Sequence, residues 1–235
     1  MCTLTYIPLR NGRIITANRD ESPSRSASIL SPYFSADNAS YYIAEEPLRG
    51  GTNIALGENG RHSVLLNGAF KPHDMHKNYG LSRGIVLLKS LDWKNAFEFS
   101  DHFQFKEENV QPFTLIDFSD SILELRWDGD IVFKKVYSSS EPHLWASAQM
   151  YSATAQRNRM QWFGELIEKG NINAKKLLDF HFHGGNGDSE NDMVMNRGNM
   201  VRTVSITQLS ETDDLRAIEH HDLVSNTKTA YEFGN

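Results

Sequence analysis

Position 2 carries the only thiol of the chain, Cys2. Removal of the initiator methionine before so small a side chain would leave one residue bearing both a thiol and a free α-amine. An α-amine titrates near pKa 7.7–8 and a thiol near about 8.5, so the amine can take the proton and the sulfur can attack a carbonyl carbon. A neighbouring cation would lower the thiol further, and Arg19 is the candidate. Asp20 can hydrogen-bond the amine and hold it in place. The other reading of Cys2, a small apolar residue on a first strand, also stands at this point.

Spacing brings these residues together. Residues 1–8 alternate as a strand, Asn11-Gly12 is a tight-turn pair and 13–18 reads as a second strand. The resulting hairpin returns Asn18, Arg19 and Asp20 beside Cys2. Residues 22–40, rich in Ser with Pro23 and Pro32, read as a loop. Strands are expected at 41–44, 53–56 and 63–66, the last ending at Asn67-Gly68. Ser82 caps a helix over 83–90, and Asp92 another over 93–101. Residues 113–118, 122–127 and 131–136 form a meander; Leu123, Leu125 and Trp127 share one face of its middle strand, Glu124 and Arg126 the other. Thr154 opens a helix with Met160, Phe163 and Ile167 at helical spacing, and Gly170 stops it. Asn173 caps a further helix through Leu177 and Leu178, 184–192 has no apolar side chain and reads as a mobile surface loop, 200–209 with 215–220 close a hairpin, and 229–233 is a last strand. No repeat or linker divides the chain, so one domain over 1–235 is expected. Hairpin-grouped strands with two helical pairs predict an α+β fold, a four-layer αββα sandwich of two antiparallel sheets flanked by helices.

Met-Cys-Thr at the start and Asn18-Arg19-Asp20-Glu21 after the second strand resemble the NRDE family, which includes the transport and Golgi organisation proteins. Gly50-Gly51-Thr52, Leu66-Asn67, Ser82-Arg83-Gly84, Arg202-Thr203 and Thr229-Ala230-Tyr231-Glu232-Phe233 extend the resemblance in islands. That family is similar to the N-terminal-nucleophile (Ntn) hydrolases, whose cysteine-type acylases include choloylglycine hydrolases and penicillin V acylases. The resemblance implies amide-bond hydrolysis by Cys2 on a small or lipid-like amide, with Arg19 and Asp20 in the site. Asn67 becomes the candidate oxyanion donor, set against its reading as a turn Asn before Gly. Arg202 becomes a cation closing the site, set against an exposed strand Arg. The chain departs from the acylase pattern in three places. Trp145-Ala146-Ser147-Ala148 holds no second site Asn, Asn53 stands where the family has Trp, and Arg19 adjoins Asp20 directly. A second reading is therefore a non-catalytic carrier or trafficking protein that binds haem or another hydrophobic ligand.

Composition narrows the partners. Lys+Arg is 24 against Asp+Glu 30, a formal charge of −6 that argues against nucleic acid. Apolar runs are too short for a transmembrane segment, and the first residues hold no signal-peptide core. One cysteine excludes internal disulfides and all-cysteine metal sites, and suits a reducing, cytoplasmic setting. His73 with His76, His181 with His183 and His220 with His221 lack the acidic spacing of a zinc protease, so no metal is expected. Met75 beside His73 and His76 could ligate haem iron, but a solvated loop leads and no cofactor is expected. Gly184-Gly185-Asn186-Gly187 has no following Lys-Ser or Lys-Thr and is no phosphate loop.

Overall fold

The Asn11-Gly12 turn sets the register of the first hairpin. Leu9 pairs with Gly12 at the turn and Thr3 with Asn18 at the far end. Gly12 has φ +148°, and a Cβ there would lie 1.9 Å from the carbonyl oxygen of Glu211 on the neighbouring strand. No larger residue fits without moving that strand.

The computed structural model describes residues 3–27, 29–74 and 78–234. In chain order it contains β1 (Thr3–Leu9), β2 (Gly12–Glu21), a 3-10 turn (Pro23–Arg25), β3 (Ser31–Phe34), β4 (Ser40–Ile43), β5 (Ile54–Gly57) and β6 (His62–Asn67). Helices α1 (Arg83–Ser90) and α2 (Ala96–His102) follow, then β7 (Phe113–Phe118), β8 (Ile122–Trp127), β9 (Val132–Tyr137) and β10 (His143–Ala146). Helices α3 (Ala153–Glu168) and α4 (Ala174–His183) precede β11 (Asn196–Arg197), β12 (Val201–Thr212), β13 (Leu215–Asp222) and β14 (Thr227–Gly234).

The chain divides into two compact units: residues 1–29, 140–146 and 151–235, and residues 30–139 and 147–150. The first unit holds an antiparallel sheet in the order β10-β1-β2-β12-β13-β14, with β11 on β12, and helices α3 and α4. Its helices pack Phe163, Leu177 and Phe180 against Ile7 and Ile14 of the sheet. The second unit holds an antiparallel meander in sequence order, β3 to β9, and helices α1 and α2. Val86, Leu87 and Phe99 of those helices are packed with Leu115, Leu125 and Trp127 of the strands. The fold is thus α+β, with two antiparallel sheets and four helices, the class the hairpin grouping predicts. No helix among the described residues is long and apolar enough to cross a membrane.

Differences from the sequence reading have local causes. Residues 22–40 contain β3, a four-residue edge strand with Pro32, and an edge is where a sheet tolerates proline. Helix α2 starts at Ala96, capped by Asn95, whose Oδ1 accepts from Phe97 and Glu98 N–H at 3.0 Å. Asp92 does not cap it, because its Oδ1 accepts from Ala36 N–H at 2.8 Å instead. Ser152, not Thr154, caps α3, accepting from Ala155 N–H at 3.2 Å. Such caps are worth about 1 kcal/mol each. Residues 184–192 close on themselves: Asp192 accepts from Asn186 and Gly187 N–H at 2.9 and 3.0 Å.

Candidate active site

Thr3, the residue after Cys2, pairs with Asn18, the residue before Arg19. Cys2 itself lies outside the described residues, as do Met75 and His76. The second hairpin strand, β2, presents its last residues to both faces, because successive side chains on a strand alternate. Asn18 and Asp20 face helices α3 and α4. Arg19 faces the other way, with Thr207 and His220, and its charge acts on the His220 ring.

Asp20 is 1 % exposed and held by two hydroxyl groups. Thr203 donates to Oδ1 at 2.6 Å, and Tyr151 donates to Oδ2. Thr203 is fixed in turn by Met195, whose N–H donates to its hydroxyl at 2.9 Å and whose carbonyl accepts its N–H at 2.8 Å. The ring of Tyr151 lies under the guanidinium of Arg159, 3.8 Å from the carbon to the ring centroid. Arg159 is fully buried and donates to Thr3 Oγ1 at 3.0 Å and to the carbonyls of Asn191 and Asp192 at 3.1 and 2.6 Å. One buried cation therefore touches both the residue beside Cys2 and the phenol that holds Asp20.

Asn18 anchors the same face. Its Nδ2 donates to the carbonyls of His181 and Met193 at 3.1 and 2.7 Å, so its Oδ1 must be the acceptor for His181 Nδ1 at 2.6 Å. His181 Nε2 then accepts from the Thr5 hydroxyl at 2.7 Å. Burial, and after it the charge of Arg159, push the His181 pKa down to about 3. The unfolded ring titrates near 6.5, so below that pH the unfolded chain binds the extra proton and stability falls until about pH 3. At pH 5 this one group removes about 2 kcal/mol. Urea midpoints at pH 7 and pH 5 should differ accordingly, and His181→Gln should flatten the difference; an unchanged slope would refute the assignment.

Arg202 pairs with Glu21 at the end of β2 and donates through Nη2 to the carbonyl of Leu223 at 3.2 Å. A bulge between Thr203 and Ser205 lets Thr203 face Asp20 while Ser205 faces Arg19. The register thus sets Arg19 and Arg202 on one face of the first sheet and Asp20 on the other. Asn67 ends β6 in the second unit, where its carbonyl accepts from the Ser147 hydroxyl at 2.6 Å and from Gln149 N–H at 3.3 Å. Gly68 after it has φ +80°, as a turn requires. Two other islands meet in that unit: Thr52 N–H donates to the carbonyl of Gly84 at 3.3 Å, and a Cβ on Gly51 would lie 3.0 Å from Gly84.

The rings of the two later histidine pairs serve local bonds. His220 donates from Nε2 to the carbonyl of Ala27 at 2.8 Å and accepts from Thr207 at Nδ1, also at 2.8 Å. His183 meets Asp179, and His221 meets Glu219. Among the described residues no three His, Cys, Asp or Glu side chains gather as a metal site. The residues missed in the sequence are Tyr151 and Arg159, while His181 figures there only as a candidate metal ligand and not as the partner of Asn18. Arg159 had a signal: Ala155, Arg159 and Phe163 recur every fourth residue on the buried face of α3.

A family model, Transport and Golgi organisation 2, matches residues 1–122. No curated protein matches the sequence. A mutant conjugated bile acid hydrolase from Clostridium perfringens is similar with TM-score 0.55 at 9% identity, over 99% of this chain and 97% of that one. A second variant of that hydrolase gives TM-score 0.51 at 10% identity, over 100% and 96%. A Caenorhabditis elegans N-acylethanolamine-hydrolyzing acid amidase ortholog gives TM-score 0.50 at 12% identity, over 88% and 92%. These likenesses show an Ntn-hydrolase fold.

Proposed function

We propose that this chain, which belongs to the Transport and Golgi organisation 2 family, is a cysteine amidohydrolase acting on a small or lipid-like amide, with Cys2 as its N-terminal nucleophile. The observation that carries the reading is the buried Asp20 carboxylate, held by Thr203 and Tyr151 where β2 runs beside the start of β1. A carboxylate so fixed suits the task of holding an α-amine.

In this reading the α-amine takes the thiol proton as sulfur bonds to the amide carbonyl carbon. Arg19 favours the thiolate, and Arg202 adds positive charge. The carbonyl oxygen becomes an oxyanion, for which Asn67 supplies an N–H; one such donor is worth about 3–4 kcal/mol. The intermediate collapses, the C–N bond breaks, and the amine returns its proton to the leaving nitrogen. Water then cleaves the thioester, releasing the acid and restoring the thiol. The single thiol fits a cytoplasmic setting.

The test pairs intact mass spectrometry with an acyl-amide hydrolysis screen of wild type and Cys2→Ala. The expected result is loss of Met1 and hydrolysis that Cys2→Ala abolishes. Retained Met1, or hydrolysis untouched by Cys2→Ala, would refute the mechanism. One observation favours a carrier instead: Trp145-Ala146-Ser147-Ala148 supplies no second Asn for the oxyanion. Ligand binding without turnover would select that reading.

A further inference from the structure

The sheet of the first unit ends in β10 and β14, and that of the second unit in β3 and β9. An edge strand offers unpaired N–H and C=O groups to any strand that can lie beside it. Three of these edges are poor templates. β3 and β10 have four residues each, and β3 carries Pro32. β9 has Lys134 and Lys135 at its middle, so a two-fold pairing centred on either sets lysine against lysine.

β14 differs. It has eight residues, Thr-Lys-Thr-Ala-Tyr-Glu-Phe-Gly, with no proline, and among the described residues it pairs only with β13. Thr227, Lys228, Ala230 and Glu232 are exposed. Alternation puts Lys228, Ala230 and Glu232 on one face. There Lys228 meets Glu219 of β13 at 2.9 Å with its side chain still 50 % exposed. Glu232 meets no cation among the described residues.

The two charges are placed symmetrically about Ala230, Lys228 two residues before it and Glu232 two after. Laid antiparallel on its own copy with the two-fold axis through Ala230, the strand sets Lys228 of each copy opposite Glu232 of the other, and Thr229 opposite Tyr231. A centre one residue away, at Thr229 or Tyr231, sets Lys228 opposite Ala230 or Gly234 and loses both ion pairs. Charge complementarity thus selects one partner and one register.

We propose that β14 pairs antiparallel with β14 of a second copy of this chain, centred on Ala230, so that the first-unit sheets of the two copies join edge to edge. This contact is independent of the Cys2 reading and stands without it.

The test is sedimentation equilibrium of the full chain between about 5 and 500 µM. A reversible dimer is expected with Kd of about 10–100 µM, since one strand pair buries less than a standard interface. Lys228→Glu and Glu232→Lys each set like charges opposite at both pairs, and each should weaken the dimer at least about ten-fold. An equimolar mixture of the two single variants restores both opposite-charge pairs, as does the double variant Lys228→Glu with Glu232→Lys. Both should return to within about three-fold of the wild-type Kd, which separates a lost contact from a lost fold. A chain that stays monomeric at about 500 µM overturns the proposal. So does a single variant that keeps full affinity, or a loss that the mixture or the double variant fails to restore.

Discussion

Asp117→Ala is expected to cost about 3–5 kcal/mol of folding stability, because it strands a buried cation. Asp117 is fully buried on β7, and Arg61 is 7 % exposed. Arg61 grips both carboxylate oxygens, Nε to Oδ1 at 3.0 Å and Nη2 to Oδ2 at 3.1 Å. The carboxylate also accepts from the Ser63 hydroxyl at 3.1 Å and from Ala96 N–H, the first residue of α2, at 2.6 Å. Arg61 reaches on to the carbonyls of Ser90, the last residue of α1, and of Trp93 beyond it. One ion pair thus ties two strands to two helices. Removal of the carboxylate leaves the guanidinium without its counter-charge and Ala96 N–H without its acceptor. Urea unfolding should show a large fall in midpoint at constant slope. The double variant Asp117→Leu with Arg61→Met should recover part of the loss, since it removes both charges together. A single variant that loses less than about 1 kcal/mol would refute this account.

Arg159→Met is expected to cost about 2–4 kcal/mol, through a different balance. Arg159 is buried among carbonyls, Thr3 Oγ1, Met193 Sδ and the face of Tyr151, and none of these is a carboxylate. Its removal relieves the cost of burying a charge, yet it leaves the carbonyls of Asn191 and Asp192 without donors and the Tyr151 ring without its cation. Methionine fills much of the space, so the lost bonds dominate. The effect should be local as well as global. Amide exchange at Asn191 and Asp192, and proteolysis within 184–192, should accelerate beyond what the fall in overall stability explains. Arg159→Lys should not restore protection, because an ammonium cannot fork between two carbonyls and a hydroxyl in the guanidinium's plane. Protection unchanged in Arg159→Met would sink the argument.

The parts of this molecule legible in the sequence are those governed by short periods. Alternation separates Leu125 and Trp127, which join the helix-side core, from Glu124 and Arg126, which bond each other at 2.8 Å on the opposite face. The Asn11-Gly12 turn fixes the pairing that carries Arg19 and Asp20 along β2. The same alternation, applied at 18–20, gives the division of Arg19 and Asp20 between faces. Contacts made across long stretches were not legible. Asn18 and His181 are 163 residues apart, and nothing local to either announces the bond. His181 beside His183 shows no spacing that gives either a role, and helix α4 points one ring into the protein and leaves the other with Asp179. Edge strand β10 shows no alternation strong enough to mark it, and it is ordered by pairing with β1, Thr3 opposite Ala146.

The bare α-carbon at Gly12 has reach beyond its turn. It lets β2 lie close against β12 at Thr212, the start of a pairing that runs back to Arg202 and, past the bulge at Thr203 to Ser205, sets Asp20 opposite Thr203. Eight residues of strand, about 26 Å, separate the two points. The carboxylate and the turn thus share one ladder, although the turn touches none of the carboxylate's partners.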